Sequence, residues 1–255
     1  IMPVPLSRRA MLATGLAGAA TALTAAPSAA RAGSPVPAAG DLSLPSTRLA
    51  REALRLVART QEPYLRNHSV RSFLFARAVA ERAGQLPDRD YDGELMFLIC
   101  VLHDMGLTPL ADTGQRFEVD GADFAVRFLE ERGVTGARAD AVWDGIALHT
   151  SPGYTGSPVY RRRRAPEIGI AVDGIGIDVI GGPEALPPGY ADRVLAAYPR
   201  LGGARPLTDA VVAQALADPR KAPPMTFPGE VLHQRHPSLP YQTWDMFLDA
   251  AGWSD

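Results

Sequence analysis

The chain has 255 residues, with 26 Lys or Arg and 28 Asp or Glu, which gives a formal net charge of −2 at pH 7. This weakly acidic balance argues against a general nucleic-acid-binding surface, which needs an excess of basic residues. The single cysteine, Cys100, excludes an internal disulfide bond, and its apolar neighbours predict a packed core thiol rather than a nucleophile.

The first 32 residues look like a bacterial twin-arginine export signal. The pair Arg8-Arg9 precedes residues 10–30, which carry no charge and are too rich in Ala, Gly and Thr for a convincing membrane span. Ala30-Arg31-Ala32 is a small-x-small cleavage signature. We expect export of a folded protein to the periplasm or the outside, with no stable membrane insertion after cleavage. Residues 33–45 are predicted to be a flexible linker because they are rich in Pro, Ser, Ala and Gly.

The remaining residues, 46–255, have the apolar periodicity of helices separated by Gly and Pro, which predicts one all-α domain. The segment from Leu95 to Leu102 is apolar on every side, so we predict that its helix lies at the centre of a bundle. The predicted helices cover residues 47–60, 68–83, 90–102, 118–131, 137–149, 167–180, 189–197, 206–218 and a docking terminal helix at 244–251, with an irregular segment at 223–240.

An unbroken apolar run from Leu98 ends in the adjacent pair His103 and Asp104. Burying an imidazole and a carboxylate costs several kcal/mol unless another group compensates, and a divalent metal is a common compensator. The pair is therefore predicted to ligate a metal that activates water. The chain has no G-x-S-x-G, Walker A, C-x-x-C or H-E-x-x-H motif that would indicate a different chemistry.

The order of His68, the His103-Asp104 pair and Asp178 resembles the H…HD…D signature of the HD-domain superfamily of metal-dependent hydrolases. The resemblance implies a single HD-domain helical bundle with an irregular C-terminal extension, and it implies that these four residues ligate the metal. Asp173, five residues earlier on the same predicted helix, is the competing last ligand. Positions five apart share a helix face poorly, so we expect only one of the two to reach the metal. Asp178 is preferred because the Val-Ile-Gly that follows it resembles the family context.

Three segments, Leu102–Thr108, Arg116–Ala122 and Ala147–Ser151, resemble the cyanamide hydratase-like branch of that superfamily. The resemblance implies one zinc ion and the addition of water to a nitrile-type carbon of a small-molecule substrate. A site with nitrogen and oxygen ligands also suits Fe²⁺ or Mn²⁺. The ligand set suggests a mechanism with Asp104 as proton acceptor, His149 or Thr108 as the group that polarises or protonates the substrate nitrogen, and Arg116 and Glu118 near the site. The alternative for His149 is a hydrogen-bonded histidine at a helix end with no catalytic role.

Two alternatives to a hydratase stay open from the sequence. Asp112 follows Asp104 by eight residues, where nucleotide-hydrolysing HD proteins carry a catalytic carboxylate, so a phosphohydrolase acting on a nucleotide or small phosphate ester is the second hypothesis. A non-catalytic metal-binding helical domain is the third. The sequence leaves the choice between a monomer and an oligomer open.

Arg161–Arg164 is a run of four arginines between Pro158 and Pro166. We predict a solvated loop, because such runs are usually exposed. The functional alternative is a gate that attracts an anionic substrate.

Overall fold

Polar caps and prolines mark where the helices of this chain begin. In the computed structural model, which describes residues 41–253, Thr47 accepts a hydrogen bond from the Ala50 amide at 3.1 Å and Asp92 accepts one from the Leu95 amide at 2.9 Å. Both caps supply an acceptor to amides that have no partner within their own helix. The α-helices of the described residues are α1 Arg48–Thr60, α2 Pro63–Arg82, α3 Gly93–Leu102, α4 Phe117–Glu130, α5 Ala137–Ala147, α6 Pro158–Arg163, α7 Pro166–Val179, α8 Tyr190–Ala197, α9 Ala204–Ala217, α10 Phe227–Arg235 and α11 Trp244–Ala250.

The all-α prediction is confirmed, since residues 41–253 contain helices, turns and loops but no β-strand. The predicted export signal at residues 1–32 and most of the predicted linker at 33–45 lie outside the described residues. None of the helices within the described range combines the length and the apolarity that crossing a membrane requires.

Helix α3 occupies the centre of the bundle, as its apolar sequence predicts. Residues 95–102 are all buried, and the helix packs against α1, α2, α5 and α7. Cys100 is a fully buried free thiol in this helix, and burial raises its pKa well above the ordinary value. The prediction of a core thiol is therefore confirmed.

Helix α2 begins five residues earlier than the sequence predicted. Pro63 is the first residue of the helix, because proline lacks only an amide hydrogen that would have no helical partner at this position. His68 consequently lies in the second turn of α2 and not at its start. Its side chain is buried, with helix on both sides of it.

Helices α2 and α7 approach each other closely at Gly174. A Cβ atom at this position would lie 2.5 Å from the Ala76 Cβ and 2.6 Å from the Ala76 amide nitrogen. Glycine therefore permits a backbone approach that any other residue would prevent. The crossing lies one turn from Asp178 on α7.

The C-terminal part of the described chain is more helical than the sequence predicted. The segment at 223–240, predicted to be irregular, contains α10, which begins at a Thr226 cap and has Pro228 in its first turn. Phe227 packs with Leu207 of α9 beside the bundle. The Pro-rich composition misled the prediction because proline at a helix start is compatible with the helix.

Two further segments differ from their predictions. The arginine run is not a loop, since Arg161–Arg163 belong to α6, although their side chains are exposed as predicted. Helix α11 forms where a docking terminal helix was predicted, but all of its residues are exposed. None of its side chains is therefore buried against the described part of the chain.

Candidate metal centre

Two histidines and one aspartate converge in the interior of the bundle. His68 Nε2 lies 3.1 Å from His103 Nε2, and Asp104 Oδ2 lies 3.1 Å from His103 Nε2 and 3.7 Å from His68 Nε2. All three residues are buried, and their ligand atoms lie within 4.8 Å of one another. His103 follows directly on α3, so the apolar helix delivers the His-Asp pair to this point.

The hydrogen bonds of the imidazole rings define which nitrogen faces the site. The Nδ1 atoms of His103 and His149 each lie 2.7 Å from a backbone carbonyl three residues earlier, those of Cys100 and Ile146. A carbonyl oxygen can only accept, so Nδ1 of each neutral ring carries the proton and Nε2 presents a lone pair. This is the tautomer that metal-ligating histidines adopt when a neighbouring oxygen fixes the ring.

The donor set fits a divalent metal. Asp104 Oδ2 is buried without a hydrogen-bond partner among the described residues, and it adjoins two imidazole nitrogens whose lone pairs face each other. A cation would satisfy all three atoms at once. Burial acts to raise the pKa of Asp104, but His103, His68 and His149 outweigh it and hold that pKa at about 2. The carboxylate is therefore ionised at neutral pH.

His149 forms the next wall of the site. The centroid of its ring lies 4.9 Å from the centroid of the His103 ring, and its Nε2 atom lies 4.0 Å from Asp104 Oδ1. Burial and the neighbouring His103 lower the pKa of His149 to about 4. The ring is therefore neutral at pH 7. Its Nε2 atom can accept a proton, and only after accepting one can it donate a proton.

Asp178, the preferred fourth ligand in the sequence, contacts the ring of His68. Its Oδ2 atom lies 2.7 Å from His68 Nδ1, which is the ring nitrogen that faces away from His103. Arg71 donates to both carboxylate oxygens at 2.7 and 2.8 Å. Asp178 is not part of the convergent ligand group, which within the described residues comprises His68, His103 and Asp104. The competing candidate Asp173 is exposed and lines a separate cavity.

A cavity of about 300 Å³ opens above these residues. His68, His103, Asp104 and His149 form its base, and its lining includes neither lysine nor arginine among the described residues. Sequence reasoning missed Leu207 and Phe227, which line it from α9 and α10, because no motif marks a long-range packing contact. The apolar part of the wall comprises Phe117, Val172, Ile175, Val179, Ile180, Leu207 and Phe227.

Comparison with protein families agrees with this geometry. Residues 65–175 match the family model described as HD domain. Together with the all-α architecture, this match indicates the fold of an HD-domain helical bundle. HD domains are generally metal-dependent hydrolases, and His68, His103 and Asp104 within it could hold the metal. No curated protein matches the chain.

Glu118 lies behind the wall of the HD-domain cavity. It is completely buried, its Oε1 atom accepts a hydrogen bond from the Thr150 hydroxyl at 2.6 Å, and Thr150 lines the cavity. Arg116 Nε lies 3.5 Å from Glu118 Oε2. Burial raises the pKa of Glu118 above its ordinary value. Thr108 does not line the cavity, because its hydroxyl donates to the Met105 carbonyl at 2.7 Å.

Asp112, the residue that suggested phosphohydrolase chemistry, pairs with a lysine instead of facing the HD-domain cavity. Lys221 Nζ lies 2.6 Å from Asp112 Oδ1 and 2.9 Å from Asp120 Oδ2. Lys221 is buried, whereas the Asp112 side chain is 44 % exposed. The pair ties the loop after the metal residues to the segment that follows α9.

Proposed function

We propose that this chain uses a divalent metal at His68, His103 and Asp104 to hydrate or hydrolyse a small molecule, most like the hydration of a nitrile-type carbon. One observation carries the proposal. The imidazole lone pairs and an unpaired carboxylate oxygen meet at the base of a cavity of about 300 Å³ whose wall is largely apolar. That volume suits a small ligand with few polar groups.

A metal held there would lower the pKa of a coordinated water from 15.7 towards about 7 and so supply a nucleophile at neutral pH. Zn²⁺ is the expected metal for this mixture of imidazole and carboxylate, and Fe²⁺ or Mn²⁺ suit the same ligands.

The residues around the site can carry the proton that hydration must move. His149 Nε2 and Asp104 Oδ1 lie 4.0 Å apart and are both acceptors. In the proposed reaction, His149 takes a proton from the attacking water as the carbon–oxygen bond forms. One carbon–nitrogen π bond opens, His149 returns the proton to the substrate nitrogen, and the product tautomerises to an amide. Thr150, oriented by Glu118, lies on the cavity wall close to this path.

The charges around the cavity favour a neutral substrate over a phosphate ester. Phosphate recognition normally uses lysine or arginine, and none lines the cavity in the described part of the chain. Lys221 is committed to Asp112 and Asp120, while Arg71 and Arg200 bind Asp178. The HD-domain match itself favours a phosphohydrolase, which is therefore the second candidate.

A metal assay combined with a substrate panel tests the proposal. The purified protein should contain about one equivalent of transition metal, and less than about a tenth of an equivalent would refute the metalloenzyme assignment. The panel comprises cyanamide, nitriles, isonitriles and nucleoside monophosphates. We expect urea or amide products, lost in His149→Gln and retained in the control Asp173→Asn. Phosphate release alone would refute the hydratase, and metal without any turnover would favour a non-catalytic metal-binding domain.

We also propose that residues 1–32 direct export by the twin-arginine route. The support is the Arg8-Arg9 pair, the uncharged stretch and the Ala30-Arg31-Ala32 signature. Cell fractionation of the expressed chain should give a periplasmic or secreted protein beginning at Gly33, whereas replacing both Arg8 and Arg9 by Lys should leave it in the cytoplasm. Cytoplasmic retention of the unchanged chain would refute the proposal.

A further inference from the structure

We propose that Asp178 is a positioning residue that orients His68 for metal binding, and that Arg71 and Arg200 keep its carboxylate away from the metal. The inference rests on the metal site of the proposed function. It differs from the ligand role that the H…HD…D order implies for Asp178.

The hydrogen bonds of the Asp178 carboxylate carry the inference. Its Oδ1 atom accepts from Arg71 Nε at 2.8 Å and from Arg200 Nη1 at 3.3 Å. Its Oδ2 atom accepts from Arg71 Nη2 and from His68 Nδ1, both at 2.7 Å. An ionised carboxylate has about four acceptor positions, so these contacts use all of them. Asp104 Oδ2, in contrast, is buried without a hydrogen-bond partner among the described residues.

The orientation of the His68 ring separates Asp178 from the ligand group. Asp178 contacts Nδ1, while Nε2 faces His103 and Asp104 at 3.1 and 3.7 Å. The two ring nitrogens point away from each other, so an oxygen that accepts from Nδ1 lies behind the ring as seen from a metal at Nε2. Carboxylates in this position fix the tautomer of a ligating histidine and raise its basicity.

The guanidinium groups are themselves held in place. Arg71 lies three residues after His68 on α2, so both side chains project from neighbouring positions of one helix face. Arg71 Nη1 donates to the Tyr198 and Pro199 carbonyls at 3.1 and 3.0 Å, and Arg200 Nη2 donates to the Asp178 carbonyl at 2.8 Å.

The segment at residues 198–200 thus completes the support of the metal site from outside the HD-domain match at 65–175. A carboxylate that two arginines neutralise and hold has little freedom to rotate towards a metal on the other side of the histidine. Its contribution to metal binding then passes through His68.

Cobalt binding to the purified chain tests this role, because the visible absorption of Co²⁺ reports how many ligands it has. In Asp178→Asn we expect one Co²⁺ with a spectrum of unchanged shape and intensity, bound 10- to 100-fold more weakly than in the unchanged chain. Asp104→Asn should lose the bound cobalt, and Asp173→Asn, on the same helix as Asp178, should match the unchanged chain.

Each other result overturns the inference. A changed spectrum or lost cobalt in Asp178→Asn would make Asp178 a ligand, and unchanged affinity would make its role purely structural. Since an unpaired buried Arg71 can unfold the variant, the double variant Arg71→Gln, Asp178→Asn removes both charges, and the same spectrum is expected. If the unchanged chain binds no Co²⁺ or Zn²⁺, the proposed function fails as well. If it binds metal and only the Asp178 result differs, the inference alone fails.

Discussion

Gly174→Ala tests whether the close crossing of α2 and α7 sets the geometry of the metal site. The new Cβ would overlap the Ser72 carbonyl oxygen and lie 2.5 Å from the Ala76 Cβ, whereas ordinary contact begins at 3.4 Å, so the helices must separate by at least roughly 0.9 Å. Gly174 lies one turn before Asp178, and His68 lies two turns before Ala76 on α2. The separation therefore acts directly on the contact between His68 and Asp178.

The expected effects follow from that displacement. The distance from His68 Nδ1 to Asp178 Oδ2 would increase from 2.7 Å to roughly 3.6 Å, which is too long for a hydrogen bond. Overpacking of this kind costs about 1–3 kcal/mol of the free energy of unfolding. Loss of the oriented histidine should weaken metal binding about 10- to 100-fold.

Urea unfolding and Zn²⁺ competition with a chelator measure the two effects separately. Gly169→Ala is the matched control, because it lies on the same helix and its Cβ would meet nothing within 4 Å. We expect the control to gain about 0.5–1 kcal/mol of stability from the better helix propensity, with unchanged Zn²⁺ affinity. A Gly174→Ala protein as stable as the control, with unchanged Zn²⁺ affinity, would refute the reasoning.

Three further predictions concern buried charges. Added Zn²⁺ should raise the melting temperature of the unchanged chain, because metal binding is linked to folding. Asp104→Ala should lose the metal and show no such increase. Equal melting curves of the unchanged chain with and without Zn²⁺ would contradict this prediction. Glu118 has a raised pKa and therefore binds a proton more tightly in the folded chain than in the unfolded chain. As the pH falls from 7 to 5, the free energy of unfolding measured in urea should therefore increase relative to that of Glu118→Gln. A decrease would show that the buried carboxylate is not destabilising. Lys221→Met leaves the buried Asp120 without its cation and should lower the free energy of unfolding in urea by about 3–5 kcal/mol. Asp112→Asn changes the exposed partner of the same lysine and should lower it by about 1 kcal/mol or less. Equal losses in the two variants would contradict the assignment.

The sequence predicted the features that depend on neighbouring residues. Continuous apolar residues from Leu95 to Leu102 predicted a central helix, and complete burial is the reason that such a helix needs no polar face. The adjacent His103 and Asp104 needed compensation wherever the chain buried them. That local argument found two of the three convergent ligands, and the resemblance to the H…HD…D signature added His68.

Features that depend on distant contacts could not be predicted in this way. Arg71 and Asp178 are 107 positions apart, and nothing in the sequence around either residue indicates the other. Phe227 reaches the cavity from a Pro-rich segment that was predicted to be irregular. Asp112 has a suggestive position in the chain, but only the fold brings Lys221 to it.

The three histidines show why this site needs a carboxylate behind one ring and not behind the others. His103 and His149 follow the ends of α3 and α5, where the carbonyls of the last turn, those of Cys100 and Ile146, fix Nδ1 of the nearby ring. His68 lies within α2, where the carbonyl three residues earlier, that of Leu65, accepts a hydrogen bond from the Ser69 hydroxyl at 3.1 Å. Its Nδ1 atom contacts an acceptor on another helix instead, Asp178 Oδ2 of α7, at 2.7 Å. The buried Arg71 follows from the same requirement, because a carboxylate brought into the bundle for this purpose needs a cation to offset its desolvation.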